Sequence, residues 1–134
     1  MSWQLSANSY AASTKEEYEL QERCGKRAEE IFRIEYGNGN KAGKMSNYTN
    51  HYNRKLNRCF VIVIEIQTSI PDDKEIMEKV GFWTDKTLCD INENKVYGHF
   101  LKFSNGGLMD CKVLGKHCSS ENEWDALVKP YMEE

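Results

Sequence analysis

The five cysteines of this chain of 134 residues constrain its fold more than any other feature. None belongs to the C-x-x-C pairs that hold zinc, and the two closest, Cys111 and Cys118, are seven positions apart. This spacing favours disulfides over a metal site, with buried free thiols as the alternative. Because disulfides persist in oxidising compartments, we expect an exported protein. No metal and no cofactor are expected. Free thiols would instead suit a location in the cytoplasm.

Two disulfides are candidates. A bond between Cys111 and Cys118 would close a short loop just before the last predicted helix. Cys24 lies inside a predicted helix and Cys59 opens a predicted strand, so their separation suits a tether between helix and sheet. Neither position lowers the pKa of a thiol by itself, so neither predicts a nucleophile. Cys89 is expected to stay reduced.

The charges of the chain argue against a polyanionic partner. Its 18 basic and 21 acidic residues are interspersed, and no basic stripe of the kind that binds nucleic acid is present. The longest apolar run, Phe60–Ile64, is far shorter than the roughly 20 residues of a membrane-spanning helix. The opening residues lack the basic segment and the apolar core of a secretory leader, which leaves the cytoplasm as an alternative location. The expected partner is a protein or a small ligand.

Two helices are predicted, one near each end of the chain. Residues 1–12 are rich in Ser, Ala and Asn without periodicity, which predicts a flexible arm. Ser13–Glu16 matches a capping box, and apolar residues then recur every three or four positions, which predicts a helix over 14–36. A second capping box, Ser120–Glu123, predicts the C-terminal helix. A short helix over 72–80 is a further expectation.

The clearest strand is Cys59–Ile66, which is rich in β-branched and aromatic residues. Its alternation places Phe60, Ile62 and Ile64 on the face that we expect to meet the first helix. Three more strands are predicted over 82–91, 96–103 and 109–114. The sequence therefore predicts a single α+β domain over 13–134, in which an antiparallel sheet of four to five strands has the N-terminal and C-terminal helices packed on one face.

Side chains that can bind a polar ligand are densest at Asn50–Asn53. Alternation along a strand places His51 and Asn53 on one face and Tyr52 on the other, so a ligand could be held from either. We take His51, Tyr52 and Asn53 as candidate ligand-binding residues; the alternative is that they tie a hairpin to a neighbouring loop. No nucleophile elbow, phosphate-binding glycine loop, H-E-x-x-H or dinucleotide motif occurs, so no catalytic residue is assigned.

The segment Asp90–Asn94 has the D-x-N-x-N spacing that opens a calcium-binding loop. The sixth position of such a loop requires glycine and is Lys95 here, and the twelfth requires glutamate and is Leu101. We therefore predict a hairpin turn at this segment rather than a metal site.

Three segments carry a resemblance to a family: Cys24–Glu29, Asn50–Phe60 with its H-Y-N-x-K-L-N-x-C run, and Cys118–Tyr131. Together they cover under half of the chain. They resemble a set of small bacterial proteins that are made with export or lipoprotein leaders and that have no assigned activity. The resemblance implies an exported location and a bond between Cys24 and Cys59.

The favoured function from sequence is non-catalytic. We expect a binding or structural module of the bacterial cell envelope, located in the periplasm, at the envelope or outside the cell. One alternative is a small enzyme with a polar site around His51, Tyr52 and Asn53. A cytosolic regulator with free thiols is a third hypothesis.

Overall fold

The fold is described by a computed structural model covering residues 2–68 and 81–134 together with Glu75 and Glu78, with side chains from Thr14 onward. In these residues, α1 (Ser2–Tyr36) precedes a single antiparallel sheet and α2 (Glu121–Met132) follows it. The α+β class predicted from the sequence is confirmed. The helix predicted over 72–80 lies outside the described residues except at Glu75 and Glu78.

The sheet is a meander of seven strands that neighbour one another in chain order. The strands are β1 (Asn40–Lys41), β2 (Lys44–Asn53), β3 (Arg58–Gln67), β4 (Trp83–Asp90), β5 (Lys95–Phe103), β6 (Leu108–Val113) and β7 (Lys116–His117). The prediction of four to five strands is wrong, because it did not include the two edge strands β1 and β7. β1 and β7 have two residues each, so no alternation of apolar and polar positions could reveal them.

The two helices lie on opposite faces of the sheet. Cys24 of α1 is buried with Cys59, whereas Trp124 of α2 is buried in a core that includes Phe60. Cys59 and Phe60 are consecutive in β3, so their side chains project to opposite faces. The prediction that both helices pack on one face is therefore wrong. Because β3 has apolar side chains on both faces, the alternation of its residues alone could not predict which helix packs on which face.

The larger core lies between the sheet and α2. Its buried members are Phe60, Ile62, Leu88, Phe100, Cys111, Val113, Trp124 and Val128. The indole of Trp124 is fully buried, and its Nε1–H donates to the carbonyl oxygen of Lys112 at 3.1 Å. The predicted cap holds the start of this helix, since Ser120 Oγ accepts from the backbone N–H of Glu123 at 3.1 Å. Burial of Trp124 and Val128, together with the cap at Ser120, keeps α2 against the sheet.

The first helix is longer than its capping box predicts, because α1 already begins at Ser2. The flexibility expected of residues 1–12 stays a prediction. The helix ends where Gly37 adopts a φ of 63° and Gly39 a φ of 86°. At Gly39 a side chain is excluded, since its Cβ would lie 2.3 Å from the carbonyl oxygen of Ser46. This turn brings the chain directly from α1 into the sheet.

Two disulfides cross-link the fold, and they join the pairs that the sequence predicts. Cys24–Cys59 connects α1 to β3, and Cys111–Cys118 connects β6 to the segment before α2. Cys89 is a free thiol. The first bond closes the longer loop, with a separation of 35 residues against 7 for the second.

Breaking the longer cross-link should destabilise the protein more than breaking the shorter one. Chain-entropy arguments assign about 4 kcal/mol to a loop of this size and about 2 kcal/mol to the shorter one. We expect Cys24→Ser with Cys59→Ser to lower the melting temperature by on the order of 10 °C, roughly twice the effect of Cys111→Ser with Cys118→Ser. Calorimetry of the oxidised proteins measures both, and an unchanged midpoint in the first double variant would contradict the tether.

Candidate functional site

Asn53, one of the three residues predicted to bind a ligand, is a fully buried link between the sheet and α2. Its Nδ2 donates to the backbone carbonyl oxygens of Pro130 at 2.8 Å and Tyr131 at 3.2 Å. Its Oδ1 accepts from the backbone N–H of Leu56 at 2.8 Å, which closes the turn between β2 and β3. These three hydrogen bonds give the Asn53 side chain a structural role, because they join the end of β2 to α2 and to the β2–β3 turn.

Tyr52 lies on the opposite face of the sheet from His51 and Asn53, as the alternation along the strand predicts. Tyr52 is buried on the α1 side of the sheet, where its hydroxyl donates to Asn57 Oδ1. Burial, and to a smaller extent the charge of Glu17, raises the pKa of Tyr52. His51 lies on the other side of β2, and its buried Nε2 has no hydrogen-bond partner among the residues described. The three predicted residues are therefore divided between two faces.

The predicted hairpin turn between β4 and β5 is confirmed. Asp90 is fully buried at the end of β4, and its Oδ1 accepts from the backbone N–H groups of Asn92 at 2.9 Å and Glu93 at 3.3 Å. Its Oδ2 lies 2.7 Å from Arg58 Nη1, so the turn is also tied to β3 by an ion pair. The carboxylate that resembled a calcium ligand thus stabilises a turn.

Removing the amide of Asn53 tests whether the residue is structural. Asn53→Ala removes a fully buried amide and the hydrogen-bond partner of two carbonyl oxygens and one N–H group, which should lower the free energy of unfolding by about 1–3 kcal/mol. Asn50→Ala is the matched control, because Asn50 is an exposed asparagine in the same strand whose amide makes only a long contact of 3.9 Å with Cys24 Sγ, so the change should cost below roughly 0.5 kcal/mol. Urea unfolding measures both; equal stability of the two variants would remove the structural role.

Among the residues that the structure describes, those on the α1 side of the sheet enclose a cavity that suits a ligand. A groove of about 390 Å³ separates the C-terminal half of α1 from β3, β4 and the turn after β4. Its apolar walls include Ala28, Ile31 and Phe32 of the helix and Val61 and Val63 of the sheet. Pockets of roughly 300–1,000 Å³ with apolar walls and a few polar groups are typical of small-molecule sites.

The two ends of the groove differ in chemistry. Arg27 lies near Cys24, and the disulfide places that part of α1 beside the start of β3. Tyr36 is followed by a glycine turn in which the carbonyl oxygen of Gly39 accepts from the backbone N–H of Ser46. Ser46 pairs with Glu65 near the C-terminal end of β3, so Tyr36 lies toward that end of the strand. The groove therefore has an end at the β4–β5 turn, lined by Arg27, Asn92 and Asn94, and an end lined by Glu35 and Tyr36.

The Tyr36 end of the groove carries one carboxylate, Glu35, that has no cationic partner among the described residues. Burial raises the pKa of Tyr36 to about 12, and the neighbouring carboxylates of Glu65, Glu35 and Asp85 add to the effect. Glu65 pairs with Lys44 at 2.9 Å. A negative end of this kind favours cationic groups over anionic ones.

The free thiol Cys89 belongs to the wall of the groove. Burial raises the pKa of Cys89, and the charges of Glu35 and Asp90 raise it further. A thiolate is the nucleophilic form of cysteine, so a raised pKa keeps this group largely protonated and slows its reactions at neutral pH. Cys89 is thus a wall residue and a convenient reporter of occupancy.

A second polar cluster, which the sequence did not predict, lies on the same face of the sheet. His99 of β5 sits between two carboxylates, with Nε2 2.9 Å from Asp85 Oδ2 in β4 and Nδ1 2.6 Å from Asp110 Oδ2 in β6. Each of the three residues belongs to a different strand, and their side chains project from the same face of the sheet. The register of the strands therefore brings them together. No short motif in the chain could have revealed them.

Both ring nitrogens of His99 face carboxylate oxygens, and an ionised carboxylate accepts but cannot donate. The ring therefore carries a proton on each nitrogen when both carboxylates are ionised. Burial works to lower the pKa of His99, but the hydrogen bonds to Asp110 and Asp85 outweigh it, so the pKa is raised. The cluster is a charged bridge across three strands, and the residues described contain no group placed to hold a metal ion.

The His99 bridge predicts a specific dependence of stability on pH. Since the pKa of His99 is raised by folding, its stabilisation is complete below the unfolded value of about 6.5 and is lost as the pH rises through the folded value. We expect His99→Gln to cost on the order of 1 kcal/mol at pH 5.5 and progressively less in alkaline buffer. Thermal unfolding between pH 5.5 and 9 measures this. His117→Gln, in the exposed strand β7, is the control; a cost of His99→Gln that grows with pH would contradict the bridge.

Comparison with known proteins identifies no relative. No protein-family model matches the chain, and no curated protein or solved structure matches it either. The resemblance to exported bacterial proteins therefore stays a prediction. Among the residues described, neither helix combines the length and the apolar content that crossing a bilayer requires.

Proposed function

We infer that this chain is a non-catalytic binding domain of an oxidising compartment, and that its ligand site is the groove between α1 and strands β3 and β4. The observation that carries this inference is the groove itself. It combines a volume of about 390 Å³, walls that are largely apolar and polar groups at both ends.

A binding role agrees with the chemistry of the groups beside the groove. Cys89 is held as a protonated thiol by burial and by nearby carboxylates. His99 has both nitrogens engaged by Asp85 and Asp110, so neither carries a lone pair for a substrate. The thiol of Cys89 and the ring of His99, two groups of the kinds that most often attack substrates or transfer protons, are therefore committed to the fold.

The location proposed is the bacterial periplasm, the cell envelope or the exterior. Two disulfides support an oxidising compartment, because cytosolic proteins rarely keep such bonds. The bond between Cys24 and Cys59 also bears directly on binding. It fixes the part of α1 that forms one wall of the groove to the strand that forms its floor.

Filling the groove tests this function. Val63 lies in the wall of the groove and is half-buried, so Val63→Trp should occupy the space without removing a core side chain. The probe is the neutral dye N-phenyl-1-naphthylamine, whose fluorescence rises in apolar surroundings. We expect saturable binding to the wild-type protein and at least a tenfold weaker affinity for Val63→Trp, a loss of about 1.4 kcal/mol.

Leu56→Trp is the matched control, since Leu56 is exposed in the β2–β3 turn away from the groove. This variant should bind the dye as the wild-type protein does. Cys89 supplies an independent readout, because a dye in the groove should slow the alkylation of its thiol. Equal dye binding by Val63→Trp and Leu56→Trp, with no protection of Cys89, would rule out the groove as the site.

A further inference from the structure

The charged groups of the groove are separated by a definite distance along α1. Arg27 and Glu35 both line it and are two helical turns apart, which places their backbones about 12 Å from each other at ~1.5 Å per residue. Neither has an ion-pair partner within the part of the chain that the structure describes. The groove thus presents one cation and one carboxylate at opposite ends.

The Arg27 end is rich in hydrogen-bond donors. Asn92 and Asn94 line it together with the guanidinium of Arg27. Asn92 uses its Oδ1 to accept from the backbone N–H of Cys59 at 2.8 Å, so the two N–H groups of its amide are not used in that bond. Guanidinium and amide N–H groups are the donors that bind a carboxylate.

The Glu35 end has the opposite character. Glu35 is exposed and free to pair, and the ring of Tyr36 stacks on Phe32 with a centroid distance of 5.0 Å. The C-terminus of α1 also lies here, and the helix dipole makes this end more negative. A carboxylate, aromatic rings and a helix C-terminus together favour an ammonium group.

The apolar middle of the groove determines the chemistry of the central part of the ligand. Between the two charged ends, Ile31 and Phe32 face the groove from the helix, and Val61 and Val63 face it from β3. A ligand that spans the groove must therefore carry apolar groups over most of its length. An extended chain rises about 3.3 Å per residue, so about 12 Å corresponds to roughly three or four amino acids.

From this arrangement we propose that the groove binds a short extended peptide of three or four apolar residues with both of its ends free. The amino terminus pairs with Glu35 beside Tyr36, and the carboxylate pairs with Arg27 beside the β4–β5 turn. This inference rests on the proposed binding function and adds the class and the orientation of the ligand.

Calorimetric titration with three forms of one peptide tests the proposal. The probes are Val-Ala-Val-Ala, its N-acetylated form and its C-amidated form, each of which lacks one terminal charge. We expect each modification to weaken binding to the wild-type protein by about tenfold, the size of one charge-assisted contact. Acetylation should have no effect on Glu35→Gln, and amidation should have none on Arg27→Gln.

Each variant also serves as the control for the other. Glu35→Gln should still respond to amidation, and Arg27→Gln should still respond to acetylation, because the two sites are separate. Both side chains are exposed, so the variants should fold as the wild-type protein does. The opposite pairing of variant and modification would overturn the orientation and with it the proposal.

Failure of all three peptides to bind in the millimolar range would also overturn the proposal, as would equal affinities for the three forms. The dye experiment separates this failure from failure of the proposed function. If the dye binds and Val63→Trp blocks it, the groove remains a ligand site and only the peptide assignment is wrong. If the dye does not bind either, both inferences are wrong.

Discussion

The bond between Cys24 and Cys59 is the interaction on which the rest of this structure most depends. It fixes the middle of α1 to the first residues of β3, and the contact of Phe32 with Tyr48, with 4.6 Å between the ring centroids, holds the C-terminal half of the helix over β2. The helix covers β2 and part of β3 and leaves a channel beside β4. The groove is therefore a consequence of where this bond and this contact hold the helix.

The second determinant is a strand that is apolar on both sides. Phe60 and Ile62 of β3 are buried in the core beneath α2, while Cys59 and Val61 face α1. Such a strand must be covered on both faces, which explains why the helices at the two ends of the chain take opposite sides of the sheet. Trp124 and its neighbours fill the core beneath α2, and the groove of about 440 Å³ at the edge of this helix is lined by a single charged residue, Lys116, whereas the groove beside α1 has charged and polar groups at both ends. Function is therefore expected on the α1 side.

Sequence reasoning succeeded where the signal was local. The bond between Cys111 and Cys118, the cap at Ser120 and the turn after Asp90 follow from spacing and from the preferences of single residues. The bond between Cys24 and Cys59 is expected from their places in a predicted helix and strand and from the resemblance to exported proteins. The groove and the bridge at His99 could not be predicted in this way, because the bridge depends on the register of three strands and the groove depends on where α1 packs on the sheet. His51, Tyr52 and Asn53 attracted attention as a polar run, but alternation and burial divide them between two faces.

The most direct test of this account is to find which thiols are free in protein that has never been exposed to a reducing agent. Alkylation of the unfolded but unreduced chain, followed by peptide mapping, should label Cys89 alone. The peptides that contain Cys24 and Cys59 should remain joined. A label on Cys24 or Cys59, or a bond from either to another cysteine, would contradict the tether that positions α1 and forms the groove.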